Sequence, residues 1–406
     1  MLTVMTPAQL LELLERRFSP LDRPPEEVEL DRALGRVLAR DLTALEFVPN
    51  FARSTVDGYA LRGADTFGCS EALPALLTCV GAVEMGKAPG FAIGPGQCAA
   101  IPTGGALPEG ADSVQMVEYS ENYGGGEIGI VKSVAPGANL IFRGDDVKPG
   151  DRVLRRGRRL EPQDIGALAA LGVTHVPVVP RLKVGLLSTG DELVLPNQIP
   201  GPGQVRDVNG PLVAALLAQA GAETIHYGIV PDREELLYET VKKALGECDV
   251  AVLSGGSSVG EKDAACRVME QLGEVLCHGV AMKPGKPTLV GQSAGKPILG
   301  LPGHPVAALF TAKLFLFPLL ARLEGRNLER RTVSARLSQT VPANHGRAQY
   351  TGVMLEDKPD GLWAVPIWGK SGLITTLAGA SGFFCVPRNR EGIPAGEWVE
   401  VSLFDR

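Results

Sequence analysis

The stretch from residue 181 to residue 328 alternates apolar runs with helical patterns, and this alternation constrains the fold more than any other feature of the chain. "KVGLLSTGDEL" is a buried-strand run that ends in a small-residue turn, and "GPLVAALLAQAGA" is a helical run that ends in glycine. Strands that alternate with helices form a parallel sheet with helices on both faces, and such sheets bind ligands at the carboxyl ends of their strands. We therefore expect a doubly wound α/β domain over residues 181–328.

The remainder of the 406-residue chain is expected to form further domains, because one hydrophobic core rarely organises this length. Helical patterns occupy residues 7–18 and 30–41. Short apolar pieces punctuated by glycine and proline then predict a β-rich module over 46–140. That module would be an insertion in an N-terminal domain built from residues 1–45 and 141–180.

Residues 329–406 alternate polar and apolar side chains between turn residues, which predicts a small C-terminal β-barrel. The net charge of -6 argues against a nucleic-acid partner, since phosphate backbones require a clustered basic surface. The seven cysteines include no CxxC pair and are typical of a reducing cytosol. No export signal is visible, and the run "LFLFPLLARL" is too short to span a bilayer, so we expect a soluble, cytoplasmic protein.

Two strand ends of the α/β region carry dense polar groups. "STGDEL" follows one apolar strand and "SGGSSVGEKD" follows another. Glycines allow backbone amides to approach an anion, serine hydroxyls add donors, and the acids suit a hard divalent cation. The alternative is that the glycines only make tight turns and the acids complement helix dipoles, but two such loops in one sheet favour a site. The candidate residues are Ser188, Thr189, Gly190, Glu192, Gly255, Gly256, Ser257, Ser258 and Asp263.

A third stretch, "AMKPGKP", holds Lys283 and Lys286 on either side of a Pro-Gly turn. It is not a P-loop, because Pro287 stands where serine or threonine would bind magnesium. Rigid lysines suit an oxoanion site, although a solvent-facing turn stays open as an alternative. "GLPGHPV" places a Pro-Gly turn at the end of a strand, with helix amides opening behind Pro305, so Pro302 and Pro305 are further candidates for substrate binding. The alternative is turn chemistry at a helix N-terminus, and His304 has no sequence partner for nucleophilic catalysis.

In the β-rich module, "RSTVDGYAL" and "PTGGALPEGAD" are equally rich in turn residues. From local chemistry alone, we expect Asp57 only to cap a turn and Thr103 only to lie in a loop.

Taken together, these stretches resemble the molybdopterin molybdenumtransferase family, which includes MoeA and the gephyrin E domain. The resemblance runs nearly end to end and rests on eight motifs in family order, namely "RSTVDGYAL", "PTGGALPEGAD", "GDDVKPGD", "STGDEL", "GIVPDREE", "SGGSSVGEKD", "AMKPGKP" and "GLPGHPV". The family implies a homodimer of four-domain subunits, whose α/β domain is similar to molybdopterin adenylyltransferase. It also implies the reaction: adenylylated molybdopterin and molybdate bind, AMP leaves with the help of Mg²⁺, and molybdenum passes to the dithiolene.

Residue by residue, the resemblance implies a metal site of Glu192, Asp232 and Asp263. It implies that Asp57 and Thr103 of the second subunit complete the catalytic set across the dimer cleft. Oxoanion binding is implied for Lys283, Lys286, Pro287 and Ser371. The adenylate source implies a contact with molybdopterin adenylyltransferase.

The sequence departs from the family pattern around the oxoanion site. His304 replaces an asparagine, Ala307 replaces a serine that helps to hold molybdate, and Gly352 stands where an arginine would align. The loss of two donors leaves room for a paralogue that handles tungstate, or for a non-catalytic scaffold that binds the cofactor. An adenylyltransferase like the α/β relative is a third alternative, which the additional domains disfavour.

Overall fold

The computed structural model describes residues 4–255, 264–328, 331–343 and 346–404. The described chain contains an N-terminal region with an inserted sheet, a central α/β domain and a closed C-terminal β-barrel. The multi-domain α/β plus β fold class expected from the sequence is confirmed. The domain boundaries given above stay predictions.

The central domain contains a six-stranded sheet. In sheet order its strands are Glu223–Val230, Lys183–Thr189, Val250–Ser254, Lys296–Leu301, Leu289–Ser293 and Glu274–His278. The first four strands are parallel, whereas the last two are antiparallel to their neighbours. This edge differs from the expected parallel arrangement because only Ala294 and Gly295, both with positive φ, join two neighbouring strands as a tight hairpin.

Helices cover both faces of this sheet, as the alternating sequence predicts. One face packs against Pro7–Arg17, Asn209–Ala220 and the helical segments Pro305–Thr311, Ala312–Leu316 and Phe317–Glu324. The other face packs against Glu234–Glu247 and Ala264–Leu272. Leu10, Leu14 and Phe18 are buried in the first of these cores, so residues 7–18 pack with the α/β domain although the sequence suggested a place in the N-terminal domain.

Among the described residues, Pro305–Glu324 is the one helix that is long and apolar enough to cross a membrane by length and composition. It has 20 residues, and its most apolar 18-residue window has a mean hydropathy of 1.8. The run "LFLFPLLARL", which by itself is too short to span a bilayer, is only part of this longer helix. However, 83% of its most apolar window is buried inside the protein, where it forms the core of the α/β domain.

The N-terminal region brings together chain segments on both sides of the insertion. Strand Glu26–Glu29 pairs with His175–Val178, and Leu42–Thr43 pairs with Arg152–Leu154. Helix Pro162–Ala170 packs over these strands, and Leu38, Leu160 and Leu168 are buried between them.

The predicted helix over residues 30–41 is wrong. Only the 3₁₀ turn Leu30–Arg32 forms, and Gly35 then takes a left-handed φ of +73°. The backbone N–H groups of Gly35 and Leu38 donate instead to the carbonyls of Leu160 and Arg158. Hydrogen bonds to a distant segment thus replace the local ones that the apolar spacing favoured.

The inserted module contains a six-stranded sheet. In sheet order its strands are Ser113–Met116, Gly58–Leu61, Gln97–Ile101, Ala75–Ala82, Glu127–Ile130 and Ser120–Gly124, and 3₁₀ turns lie at Gly63–Thr66 and Val117–Tyr119. The short pair Arg53–Ser54 and Leu140–Ile141 joins the two ends of the module.

The C-terminal barrel closes because its longest strand, Ala348–Lys358, pairs on both sides. Around the barrel the strands are Ala348–Lys358, Gly361–Pro366, Thr332–Leu337, Trp398–Leu403 and Gly382–Val386. Smaller elements are the pair Val341–Pro342 with Gly392–Ile393 and the 3₁₀ turn Ile374–Leu377. Strand Met282–Lys283 of the α/β domain pairs with the start of Ala348–Lys358, which holds the barrel beside the α/β domain.

Candidate active site

A cleft of about 1820 Å³ lies between the α/β domain and the C-terminal barrel. Its floor contains Thr189 and Ser254, which end two of the parallel strands, and Asp232 and Pro302, which follow the ends of the other two. Its opposite wall comes from the start of the longest barrel strand and from the loop 367–377. The cleft therefore lies at the sheet edge where parallel α/β sheets bind their ligands.

Most of the predicted site residues line this one cleft. They are Thr189, Glu192, Asp232, Gly255, Lys283, Lys286, Pro287, Pro302, Pro305 and Ser371. Lysines and acids that are up to about a hundred residues apart in sequence thus share one solvent-filled space.

Other predicted residues lie elsewhere. Ser188 and Gly190 are buried beside the floor and do not line the cleft, and the Ser188 hydroxyl donates to Asp207 Oδ2 at 2.7 Å. Asp57 and Thr103 are exposed on the inserted module, where the Thr103 N–H donates to Asp57 Oδ1 at 2.7 Å. Gly256, Ser257, Ser258 and Asp263 lie outside the described residues.

Thr189 and Asp232 join two neighbouring strands at the floor of the cleft. The Thr189 hydroxyl donates to Asp232 Oδ1 at 2.6 Å, and the Asp232 N–H donates to Asp191 Oδ1 at 3.1 Å. Thr189 is buried, whereas Asp232 and Glu192 are exposed to the cleft. One oxygen of Asp232 is thereby fixed, and the other is left for a ligand.

Gly255 allows two strand ends to approach closely. It has a φ of +95°, and a Cβ atom there would lie 2.2 Å from the Thr189 carbonyl oxygen. Only glycine fits both this conformation and this contact. The backbone conformation at this strand end therefore requires glycine at position 255, which the sequence analysis had named as a site residue.

The turn that carries Lys283 and Lys286 is held by its own hydrogen bonds. The Thr288 hydroxyl donates to the Gly285 carbonyl at 2.7 Å, and the Val280 N–H donates to the Lys286 carbonyl at 2.9 Å. Within the described chain, neither ammonium group forms an ion pair. Two unpaired cations on a fixed turn favour an anionic ligand.

Ser371 and His304 connect the two walls of the cleft. The Ser371 hydroxyl and His304 Nδ1 lie 2.7 Å apart, and the Val306 N–H donates to the Ser371 carbonyl at 3.0 Å. His304 is the N-cap of the helix that begins at Pro305. The sequence did not pair these residues, because 67 positions separate them.

Asp207 is a buried carboxylate that lines the cleft, and the sequence did not single it out. Its Oδ2 accepts from Ser188, and its Oδ1 accepts the N–H of Gly210 at 2.9 Å. The neighbouring Asn209 donates its amide to the carbonyls of Pro302 and Gly303. The sequence contained a signal for this contact: Asp207 lies three residues before Gly210, which is the spacing at which a capping side chain accepts a backbone N–H in the first turn of a helix.

Comparisons with known proteins cover the whole architecture. Residues 5–172 match the model "MoeA N-terminal region (domain I and II)", residues 185–322 match "Probable molybdopterin binding domain", and residues 334–404 match "MoeA C-terminal region (domain IV)". The chain belongs to the MoeA family. A Haemophilus influenzae protein named molybdopterin molybdenumtransferase is 33% identical, over 98% of this chain and 99% of that protein.

Two other MoeA relatives agree with this assignment. The Bacillus subtilis molybdopterin molybdenumtransferase is 32% identical over 93% of this chain and 89% of its own. The crystal structure of the molybdopterin biosynthesis MoeA protein from Pyrococcus horikoshii OT3 has a TM-score of 0.88 and 32% identity, and it covers 99% of this chain and 100% of that one.

The structure shows what stands at the positions where this MoeA chain departs from the family pattern. Ala307 is 3% exposed in the first turn of its helix and offers no side-chain donor. At Gly352 an added Cβ would lie 2.4 Å from Leu377 Cδ2, so the leucine fills the space of a longer side chain.

Lys370 and Arg347 also line the cleft, and neither forms an ion pair within the described chain. Cationic groups are therefore still present on the barrel wall.

Glu234 and Arg267 form a charged pair at the edge of the cleft. Arg267 Nε donates to Glu234 Oε2 at 2.6 Å. This hydrogen bond holds the pKa of the Glu234 carboxyl below its usual range. Glu234 is thus already occupied by a cation.

The carboxylates suit a divalent ion. In residues 4–255, 264–328, 331–343 and 346–404 no cluster of three or more His, Cys, Asp or Glu side chains forms a preassembled metal site. Glu192 and Asp232 nevertheless supply hard oxygen donors in one cleft. Mg²⁺ is typically bound by one or two carboxylates together with substrate phosphates, so these residues fit the expected ion.

Proposed function

We propose that this MoeA-family chain is a molybdopterin molybdenumtransferase, which inserts molybdenum from molybdate into adenylylated molybdopterin and releases AMP. The observation that carries the proposal is one cleft that holds two chemically distinct sets of side chains. Glu192 and Asp232 line it as carboxylates, and Lys283, Lys286 and Ser371 line it as cationic and hydroxyl groups. We assign the first set to an acidic half and the second set to a basic half of the cleft. A substrate with a phosphoanhydride and a second, oxoanionic substrate require such a pair of neighbouring sites.

In the acidic half, Glu192 and Asp232 would hold Mg²⁺ together with the phosphate oxygens of the adenylate. The ion would supply Lewis-acid polarisation of the phosphoanhydride and neutralise its charge. Thr189 orients Asp232 through the 2.6 Å hydrogen bond, which leaves the second carboxylate oxygen for the ion. Asp263, which lies outside the described residues, is proposed as the third acid.

In the basic half, Lys283 and Lys286 would bind molybdate as fixed cations, and the Ser371 hydroxyl would orient it. Pro284 lies between the lysines and Pro287 follows Lys286, so little backbone freedom is lost when the anion binds. The dithiolene of the substrate would then receive molybdenum at the junction of the two halves.

The proposed enzyme is a homodimer whose inserted module completes the partner's site. Asp57 and Thr103 are exposed, are joined by a hydrogen bond and do not line the cleft of their own chain. A second subunit that places them over the cleft would give these groups a catalytic use. We also propose that molybdopterin adenylyltransferase delivers the adenylate to this dimer in the cytoplasm.

The test is an assay of the purified chain with adenylylated molybdopterin, molybdate and Mg²⁺. The expected result is release of AMP with formation of cofactor that activates a molybdenum enzyme in its apo form. Intact adenylate under these conditions would overturn the proposal that the protein is an enzyme. It would favour a non-catalytic scaffold of the same fold. Formation of the adenylate from ATP and molybdopterin would instead indicate an adenylyltransferase.

Tungstate is the competing substrate, because Ala307 and Gly352 remove two donors that the family pattern contains. Equal concentrations of molybdate and tungstate during adenylate cleavage would show which metal enters the product. Preferential incorporation of tungsten would overturn the assignment of molybdate.

A further inference from the structure

Trp368 is an aromatic side chain of the cleft whose ring has no stacking partner among the described residues. Phe310 and Tyr350 also line the cleft, but their rings pack against each other and against Phe383. In the part of the chain that the structure describes, no aromatic or cationic group lies over the ring of Trp368, which is 51% exposed. The cleft thus contains a large flat apolar surface that a ligand can cover.

Hydrogen bonds fix the position of this indole. Its Nε1–H donates to Gln339 Oε1 at 3.2 Å, and Gln339 does not line the cleft. The N–H of Ile367, the residue before Trp368, donates to the Gly352 carbonyl at 2.8 Å. The polar edge of the indole is therefore satisfied outside the cleft, which leaves the apolar part of the ring for a ligand. Because the ring is already held, little freedom is lost when a flat ligand binds.

The barrel loop does not need the exposed ring for its own structure. The Leu373 N–H donates to the Lys370 carbonyl at 2.9 Å, and the Thr376 hydroxyl donates to the Leu373 carbonyl at 2.6 Å. Trp368 is not among the residues that form the apolar core of the barrel. An unburied indole on a loop that holds itself together favours a role in ligand binding.

We propose that the pterin ring of adenylylated molybdopterin stacks on Trp368, which makes this tryptophan a specificity-determining residue. The inference rests on the proposed function, from which it takes the substrate. Flat heteroaromatic rings stack on aromatic side chains, and removal of one such contact typically weakens binding by roughly 5- to 150-fold.

The place of Trp368 in the loop selects the pterin over the adenine of the same substrate. Trp368 lies three residues before Ser371, which belongs to the proposed basic half of the cleft. In molybdopterin the dithiolene belongs to a ring that is fused to the pterin, whereas a phosphoanhydride and a ribose separate it from the adenine. A dithiolene that receives molybdenum beside Ser371 therefore brings the pterin to the barrel wall.

The experiment separates the two ring systems by using molybdopterin without the adenylate and AMP as independent probes. Affinities for the full chain are measured anaerobically by isothermal titration calorimetry. Trp368→Leu should bind molybdopterin roughly 10-fold more weakly than the native chain, and Trp368→Phe should retain most of the affinity, since a phenyl ring still stacks. AMP and molybdate should bind all three proteins equally, because neither contacts the indole.

Tryptophan fluorescence tests the contact directly. The chain has three tryptophans, so the double variant Trp363→Phe, Trp398→Phe leaves Trp368 as the one emitting indole. Molybdopterin should quench this emission after correction for pterin absorption, and AMP should not. Trp398→Leu is the matched control for affinity, because Trp398 is also exposed but lies outside the cleft, where Arg336 covers its ring.

Unchanged molybdopterin affinity in Trp368→Leu would overturn this inference, while binding to the native chain would leave the proposed function intact. A loss of AMP affinity alone would overturn the assignment of the pterin and give the stacking surface to the adenine. Equal losses of molybdate and molybdopterin affinity would show that the tryptophan only holds the loop, which also overturns the inference. A native chain that binds neither molybdopterin nor AMP would overturn the proposed function as well.

Discussion

The Thr189 hydroxyl donates to Asp232 across 2.6 Å and thereby ties together the carboxyl ends of two adjacent parallel strands. The donor is buried and the acceptor is exposed to the cleft. A fixed carboxylate at the sheet edge is what a divalent ion beside a phosphoanhydride requires.

Thr189→Val should slow adenylate cleavage by roughly 10- to 100-fold, because it removes the hydroxyl that orients a proposed metal ligand while it keeps the side-chain shape. AMP release at saturating Mg²⁺ measures the effect. Thr189→Ser keeps the hydroxyl and is the matched control, which should retain most of the native rate. Equal rates for the valine and serine variants would show that the hydrogen bond has no catalytic role.

Gly255→Ala should lower the free energy of unfolding by at least about 2 kcal/mol, since the new Cβ meets the Thr189 carbonyl in a left-handed conformation. Chemical denaturation measures this loss. Gly228→Ala is the control, because Gly228 also has a positive φ of +76° but has no atom near its Cβ position. Its loss should be only about 1 kcal/mol. Similar losses in the two variants would contradict a role for the close contact.

Glu192→Gln and Asp232→Asn should each raise the Mg²⁺ concentration for half-maximal AMP release by roughly 10-fold, since each removes one anionic oxygen ligand. Chelation of the metal should stop cleavage in the native chain. Glu223→Gln is the control, because Glu223 is exposed at the opposite end of the strand that precedes Asp232. An unchanged Mg²⁺ requirement in both acidic variants would remove these carboxylates from the metal site.

At a Mg²⁺ concentration well below the one that Asp232→Asn requires, Asp57→Asn and Asp232→Asn should each leave the homodimer almost inactive, and a mixture of the two variants should recover activity. In a mixed dimer one cleft receives both substitutions and the other receives neither. Random exchange of subunits should therefore restore about a quarter of the native activity. A mixture that stays inactive would place Asp57 outside the partner's site, and a monomeric protein in sedimentation would do the same.

Much of the candidate site was predictable, because the local pattern of apolar and polar residues shows where a strand ends. Apolar runs followed by glycine, serine and acids marked Thr189, Glu192 and Gly255, and parallel strands must bring such ends to one edge. The same local rules failed for residues 30–41, where backbone hydrogen bonds to residues 158–160 replaced a helix. They also missed Asp207, whose importance depends on its contact with Ser188.

The sequence by itself determined the strand and helix alternation, the positions of the acids and lysines, and the order of motifs that places the chain among MoeA proteins. Only the tertiary structure decided which of these groups share a space. The barrel brings Ser371 to His304, and closes the cleft over the strand ends, through contacts between segments far apart in the chain. Local pattern reports each segment's own backbone preference, whereas such contacts depend on how whole domains pack, and no short stretch of sequence contains that information.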